Sequence, residues 1–209
     1  VWDWNGTLLN DVDLCFSCIN RLLVSHDLKP LDTLSQYREV FTFPIEDYYK
    51  RVGFDFDKIP FSMLAHEYME DYQEKSYACD LHSDVLDVVN KAKNLGFSQT
   101  VLSASKMDYL LKQMETLHVD DLFDSIYGIN DIYAKSKVEL AHAFKQTCSL
   151  DDEIYFVGDS VHDYEVAKSI GAKCILVTTG HQNRATLESV NVPVMDSLME
   201  SLDLIYERD

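Results

Sequence analysis

The 209-residue chain has 36 acidic and only 18 basic side chains, and its net charge of −18 argues against binding to nucleic acid or to an anionic membrane surface. We expect neither a signal peptide nor a membrane span, because no stretch approaches the about 18–20 apolar residues that a span needs. Five scattered cysteines, an odd number, predict reduced thiols in a cytoplasmic protein.

Short apolar runs alternate along the chain with segments in which apolar residues recur at helical spacing. The runs predict strands at residues 1–2, 97–102, 125–127, 154–157 and 174–177. Helical spacing marks segments near residues 12–23, 61–72, 85–95, 107–117, 138–144 and 166–170. Strands that alternate with helices predict an α/β fold with a mostly parallel sheet covered on both faces.

One interval, residues 11–77, breaks this alternation, because it contains helical patterns and no convincing strand. It predicts a helical module inserted directly after the first strand. Two roles stay open for it: an additional bundle packed on the edge of the sheet, or a lid over a functional site. Its position, immediately after the strand that ends at Asp3, favours the lid.

Polar residues follow three of the predicted strands and open one predicted helix. They are Asp3, Ser103, Lys137, Asp159 and Asp163, and Ala104 follows Ser103 in the same stretch. Singly, each resembles an ordinary cap or turn residue. Ligands of open α/β sheets bind beyond the carboxyl ends of the strands, so the ordered set predicts one shared site.

This set is suited to phosphoryl transfer. The carboxylates of Asp3, Asp159 and Asp163 are hard oxygen ligands of the kind that Mg²⁺ prefers, and crowded carboxylates need a cation among them. A carboxylate such as that of Asp3 can attack phosphorus and form an aspartyl-phosphate. Ser103 and neighbouring backbone N–H groups can hold the phosphoryl oxygens, while Lys137 neutralises their charge.

The haloacid dehalogenase superfamily has four ordered sequence motifs, and the chain resembles them at DWNGT, VLSAS, KSKVELAHAF and GDSVHD. The nearest group is the phosphoglycolate-phosphatase-like hydrolases, in which a helical cap follows the first motif. The resemblance spans the whole chain. It implies a Rossmann-like, doubly wound core of residues 1–10 and 78–209, an all-helical cap of residues 11–77, and a Mg²⁺-dependent phosphatase for a small phosphorylated metabolite.

The resemblance also implies the metal site and the nucleophile. Asp3 would be the nucleophile and a Mg²⁺ ligand. The main-chain carbonyl of Asn5 and the carboxylate of Asp159 would be further ligands. Asp163 would bind the metal, order its waters or hold the catalytic lysine.

Phosphate binding is implied for Ser103, Ala104 and Lys137. The helical pattern that begins at residue 137 favours Lys137 over Lys135 as the bridge between the nucleophile and phosphate. Thr7 would support the loop of the first motif.

Asn5 stands where phosphatases of this family normally carry an aspartate that protonates the leaving alkoxide and then activates water. An amide can make neither transfer, although it still forms hydrogen bonds. Loss of general acid–base help costs about 10²–10⁴ in rate, or about 3–5.5 kcal/mol. We therefore predict slow turnover, least impaired for good leaving groups such as acyl phosphates. His162 is the nearest substitute base in the sequence.

Residues 41–51, FTFPIEDYYKR, resemble in position the specificity loop of the cap. Pro44 would fix a turn there, and Arg51 could bind an anionic group of the substrate. The aromatic residues Phe41, Phe43 and Tyr48 could equally pack within the cap.

Two other functions stay open beside the phosphatase. Asn5 is compatible with a catalytically weak relative that binds a phosphate ligand or a protein partner, but such a role would not require the intact set of candidate residues. The same nucleophile could instead transfer phosphate to an acceptor or cleave a carbon–halogen bond. Dehalogenation is disfavoured, because Asp159 and Asp163 would have no purpose in it.

Overall fold

The computed structural model describes residues 1–129 and 137–207, and it confirms the α/β fold class. Its strands are β1 (Thr100–Lys106), β2 (Ser125–Ile129), β3 (Tyr155–Gly158), β4 (Lys173–Val177) and β5 (Val194–Met195). The helices of the core are α5 (Val85–Asn94), α6 (Met107–Thr116), α7 (Lys137–Thr147), α8 (Val161–Ser169), α9 (Arg184–Glu188) and α10 (Leu198–Tyr206), with a short 3-10 helix at Asp120–Leu122.

The N-terminal segment lies in the middle of the sheet. Trp2 forms parallel bridges with Val101 of β1 on one side and Val157 of β3 on the other. β1 pairs with β2, and β3 pairs with β4, which pairs with β5, all in parallel. If the Trp2 segment is counted as the first strand, the order is that of a doubly wound fold, whose binding crevice lies where the order reverses beside this segment.

Successive strand residues face opposite layers of helices, as the pleat of a strand requires. Phe156 and Leu176 pack with Ala141, Val166 and other buried side chains of α7, α8 and α9. Their neighbours along the strands, including Val157, face a second buried cluster with side chains of α5, α6 and α10. The prediction that helices cover both faces of the sheet is therefore confirmed.

Residues 11–77 form what we call the helical insertion, and no strand occurs within it. Its helices are α1 (Val12–Ser25), α2 (Leu34–Val40), α3 (Ile45–Arg51) and α4 (Phe61–Ser76). They enclose their own cluster of buried side chains, separate from the two clusters beside the sheet. No helix among the described residues is long and apolar enough to cross a membrane.

Two adjacent segments connect the helical insertion to the core. Leu9 and Leu81 form an antiparallel bridge, the Asn10 N–H donates to the Asp80 carbonyl at 2.9 Å, and the His82 N–H donates to the Leu8 carbonyl at 3.0 Å. The domain limits after residues 10 and 77 stay a prediction, but the chain enters and leaves the insertion at this one point.

The strand predicted at residues 97–102 differs from the observed strand β1, which begins later, at Thr100, and ends later, at Lys106. Gly96 has a positive φ of 85°, and the Phe97 N–H donates back to the Ala92 carbonyl at 3.1 Å. This C-terminal capping pattern follows the end of α5, so the strand starts only at Thr100. It continues through the polar residues up to Lys106, which the apolar run did not include.

No element was predicted beyond residue 177, and three occur there: α9, β5 and α10. β5 has two residues, too few to leave a hydrophobic pattern. α10 does carry a readable signal, because Leu198, Leu202 and Ile205 recur at helical spacing and are all buried.

Candidate active site

Three carboxylates meet at the carboxyl end of the central strands. Asp3 follows Trp2 directly and is fixed by its N–H, which donates to the Val157 carbonyl at 2.9 Å. Asp159 follows β3, and Asp163 lies in the first turn of α8. One oxygen from each of the three lies within 4.8 Å of the others, and all three residues are buried. The structure thus brings the predicted acidic residues together.

Lys137 lies between two of these carboxylates. Its Nζ donates to Asp3 Oδ1 at 2.5 Å and to Asp163 Oδ1 at 2.6 Å, and the side chain is almost fully buried. Burial alone would lower the pKa of Lys137, but the charges of Asp163 and Asp3 raise it above its ordinary value. The ammonium is therefore charged and positioned beside the candidate nucleophile. Lys135, the alternative, lies outside the described residues.

The orientation of Asp159 and Asp163 is set by further hydrogen bonds. Asp163 Oδ2 accepts from the N–H groups of Asp159 and Ser160 at 3.1 and 2.9 Å, closing a capping box at the start of α8. Asp159 Oδ1 accepts from the Thr7 hydroxyl at 3.0 Å. Thr7 thereby ties the loop of the first motif to the residue that follows β3, and its supporting role stays a prediction.

The acidic cluster carries more negative charge than Lys137 can balance. For Asp3, burial raises the pKa, Lys137 lowers it, and the charges of Asp163 and Asp159 raise it again, so that it lies well above the usual range. A divalent cation between the carboxylates would relieve this repulsion. Hard carboxylate oxygens crowded at the edge of a cavity are the donor set that Mg²⁺ prefers, so the residues present fit this ion.

Ser103 and Ala104 line the same cavity from the end of β1. Ser103 is buried, and its hydroxyl accepts from the Ser105 N–H at 3.0 Å. β1 loses its regular register with β2 between Leu102 and Lys106. This irregularity lies near the acidic cluster, at the place where an oxyanion would need backbone donors.

Asn5 is held by hydrogen bonds on both sides of its amide. Its Nδ2 donates to Asp11 Oδ2 at 2.9 Å and to the Tyr72 hydroxyl at 2.8 Å. Its Oδ1 accepts from the Ser105 hydroxyl at 2.5 Å and, more weakly, from the Ser103 hydroxyl at 3.5 Å. Tyr72 belongs to α4, so this one amide joins the first motif, β1 and the helical insertion.

Two residues of this network were missed by the sequence analysis. Asp11 accepts from the Gly6 N–H at 2.9 Å, and His181 Nε2 lies 3.4 Å from Asp11 Oδ1. Burial would raise the pKa of Asp11, but His181 and several hydrogen bonds lower it to about 2. Burial would lower the pKa of His181, but Asp11 and then Asp159 raise it to about 9. The two side chains form a buried ion pair.

His181 could have been predicted from the sequence more easily than Asp11. His181 comes four residues after β4, so the rule that collected the other strand-end residues could have found it. Asp11 directly precedes α1 and looks like an ordinary residue before a helix. Nothing in the sequence indicated that it contacts Asn5.

The cavity above the acidic cluster is lined on one side by the helical insertion. Aromatic and apolar side chains of the insertion line it: Phe41, Phe43, Ile45, Tyr48, Tyr49, Phe61, Ala65, Tyr68, Met69 and Tyr72. Phe41, Phe43 and Tyr48 of the predicted specificity loop thus pack within the insertion and also line the cavity, and their role in specificity stays a prediction. They pack on one another, as Phe41 and Tyr48 do at 5.1 Å between ring centroids, and they face the cavity.

The charged residue predicted in this loop lies elsewhere. Arg51 is exposed at the end of α3 and is not among the residues that line the cavity. Pro44 is exposed at the start of α3, between two lining residues, after a cis peptide bond from Phe43. His162 stacks on Phe43 at 4.6 Å between ring centroids and likewise does not line the cavity, so it is poorly placed as a substitute base.

The fold is similar to those of several solved structures. A predicted phosphatase from Clostridium acetobutylicum superposes with a TM-score of 0.83 at 19% identity, over 99% of this chain and 96% of that one. A predicted phosphoglycolate phosphatase from Haemophilus somnus gives 0.72 at 18%, over 98% and 96%. CbbY from Rhodobacter sphaeroides, solved with phosphate, gives 0.67 at 17%, over 95% and 93%.

At these identities the solved structures establish the fold alone. No curated protein matches the chain in sequence. The model of one sequence family, however, matches residues 1–177, which include the acidic cluster, Lys137 and the helical insertion. The chain belongs to the haloacid dehalogenase-like hydrolases.

Proposed function

We propose that this hydrolase is a Mg²⁺-dependent phosphatase that acts on a small phosphorylated metabolite through an aspartyl-phosphate on Asp3. The observation that carries the proposal is the buried contact of Asp3 with Lys137, next to Asp159 and Asp163, at the base of a cavity. A nucleophilic carboxylate, a fixed cation and oxygen ligands for a metal are the parts that phosphoryl transfer requires.

Each residue has a role in this proposal. Asp3, the main-chain carbonyl of Asn5 and Asp159 would hold Mg²⁺, with Asp163 as a further ligand or as the partner of Lys137. When bound, the ion would draw negative charge from the phosphoryl oxygens. Ser103, the N–H of Ala104 and Lys137 would hold those oxygens while Asp3 attacks phosphorus.

Asn5 attenuates turnover in this proposal. Its Nδ2 donates to Asp11 and Tyr72, and its Oδ1 accepts from Ser105, so the amide is fully used in holding its neighbours. It has no proton to give to a leaving alkoxide and no basic atom to take one from water. The step that suffers in every reaction is the attack of water on the aspartyl-phosphate.

The helical insertion would act as the lid. It covers the acidic cluster with apolar side chains, which exclude water from the phosphoryl group. Arg38 of α2 connects the insertion to the core, because it donates hydrogen bonds to the Gly180 and Thr179 carbonyls at 2.9 and 3.2 Å. All five cysteines are free, which fits the cytoplasmic location predicted for the protein.

A second candidate is a binding protein that retains phosphate without turnover. The specific observation in its favour is the locked amide of Asn5 at the acid–base position. It would keep the metal and phosphate contacts of the phosphatase and lose only the chemical steps.

The test is phosphate release from acetyl phosphate in Mg²⁺, comparing the native protein with Asp3→Asn. Asp13→Asn removes an equal charge from an exposed site on α1 and is the matched control. Turnover by the native protein and the control, abolished in Asp3→Asn, supports the phosphatase. Phosphate binding without release by any of the three would favour the binding protein instead.

A further inference from the structure

We propose that the physiological substrate is a phosphomonoester of a phenol, not of a sugar or a hydroxy acid. This inference rests on the phosphatase proposed above and adds the chemical class of the leaving group. Two independent features carry it: the composition of the cavity wall and the amide at position 5.

The wall of the cavity is aromatic on the side away from the acidic cluster. Phe41, Phe43, Phe61 and Tyr68 come from the helical insertion, and Tyr109 comes from α6. All five keep part of their surface exposed, so they are not simply buried in the packing of the insertion. Aromatic faces and edges of this kind bind flat aromatic groups through stacked or edge-to-face contacts, which adds to the gain from apolar burial.

The same wall is poor in cations. Apart from Lys137 and His181, both already paired with buried carboxylates, Lys106 is the one basic residue among the described residues that line the cavity. Its side chain is one-third exposed and pairs with Asp108 at 3.1 Å. A substrate carboxylate such as that of phosphoglycolate would thus lose its hydration without gaining a buried cation.

Asn5 selects for the same class through chemistry. An aliphatic alkoxide is too basic to leave without a proton, and the amide has none to give. A phenol ionises with a pKa near 10, as tyrosine does, and therefore leaves as a stable phenolate at about neutral pH. Asn5, which removes the general acid from the first step, therefore lowers the rate of this step little for an aryl phosphate.

The bonds and charges balance without a further reagent. An oxygen of Asp3 forms a bond to phosphorus as the phosphorus–oxygen bond to the aryl group breaks, and the phenolate leaves with the electron pair and takes a proton from solvent. Water then attacks phosphorus, loses a proton to solvent, and releases inorganic phosphate and the Asp3 carboxylate. This second step is the same for every substrate, so it sets a common ceiling on turnover.

The experiment compares phenyl phosphate, propyl phosphate, phosphoglycolate and acetyl phosphate, all with Mg²⁺. We expect kcat/KM for phenyl phosphate to exceed the values for propyl phosphate and phosphoglycolate at least 100-fold. Phenol should appear in a burst followed by a slow steady rate, because the second step limits turnover.

Phe43→Ala separates recognition by the wall from the intrinsic reactivity of aryl esters. It should lower the ratio of kcat/KM for phenyl phosphate to kcat/KM for acetyl phosphate about tenfold, because acetyl phosphate is too small to reach the wall. Asp3-dependent hydrolysis of acetyl phosphate with no preference for phenyl over propyl phosphate would overturn this inference and leave the phosphatase standing. A lack of turnover of all four substrates would overturn both.

Discussion

The most informative single change is Asn5→Asp, which restores a carboxyl group at the acid–base position. In the native structure Asn5 Nδ2 lies 2.9 Å from Asp11 Oδ2, and this carboxylate is held ionised, with its pKa lowered to about 2. The substitution therefore places two carboxyl groups in contact. Whether the two groups repel each other or form a hydrogen bond depends on whether one of them keeps a proton.

The magnitudes decide this question. Two unit charges 2.9 Å apart repel by about 6 kcal/mol at an effective dielectric constant of about 20. Holding a proton at pH 7 on an ordinary aspartate costs about 4 kcal/mol. Since the repulsion is larger, one carboxyl group keeps its proton and donates it to the other, as Nδ2 does now. The variant thus carries a transferable proton at the acid–base position.

We expect Asn5→Asp to raise kcat/KM for propyl phosphate about 10²–10⁴-fold, which is the usual contribution of general acid–base catalysis. For phenyl phosphate the burst should change little, because the phenolate needs no proton, while the steady rate rises. Stopped-flow measurement of phenol release together with steady-state phosphate release resolves the two steps.

Asn10→Asp is the matched control, because it makes the same substitution at an exposed position five residues along the chain. It should leave all rates unchanged. If folded Asn5→Asp protein gains nothing on propyl phosphate while still turning over phenyl phosphate, Asn5 does not limit proton transfer and the reasoning fails.

Three further outcomes are expected. Lys137→Met, which leaves Asp3 and Asp163 unpaired, should abolish turnover and, without Mg²⁺, lower the free energy of unfolding by about 3–5 kcal/mol in urea titrations. EDTA should abolish phosphate release by the native protein, and added Mg²⁺ should restore it; activity that persists in EDTA would contradict the proposed metal. His181 has its pKa raised from 6.5 to about 9 by Asp11, so its stabilising effect is complete below pH 6.5 and is lost as the pH rises through 9. Melting temperatures of His181→Gln should therefore fall less over this interval than those of the native protein.

The position of the acidic residues could be predicted because one rule governs them. Asp3 and Asp159 directly follow strands, and the carboxyl ends of parallel strands share one edge of the sheet, so sequence order was enough to bring them together. Lys137 was found because it opens a helical pattern that returns to the same edge. Neither inference needed a side-chain conformation.

The contacts of the helical insertion could not be predicted in the same way. Tyr72 reaches Asn5 across 67 positions of sequence, and only the packing of α4 on α1 brings it there. Arg51 was predicted in the site because its segment resembles the specificity loop in position and its guanidinium could bind an anion. The helix α3 has only seven residues, too few to reveal which face would be turned toward the cavity. Tyr48 and Tyr49 of this helix line the cavity instead.

Asn5 of the first motif has a structural function. An aspartate at this position could fill that function only in its protonated form. Asp11 is buried and ionised, and it needs donors: Asn5 Nδ2, the Tyr72 hydroxyl at 2.6 Å and the Gly6 N–H supply them. Because Tyr72 belongs to the helical insertion, this carboxylate ties the insertion to the loop that carries Asp3. The amide of Asn5 cannot transfer a proton, but it supplies a hydrogen-bond donor that the Asp11 carboxylate needs. The loss of a general acid at position 5 is compatible with function where the substrate has a good leaving group.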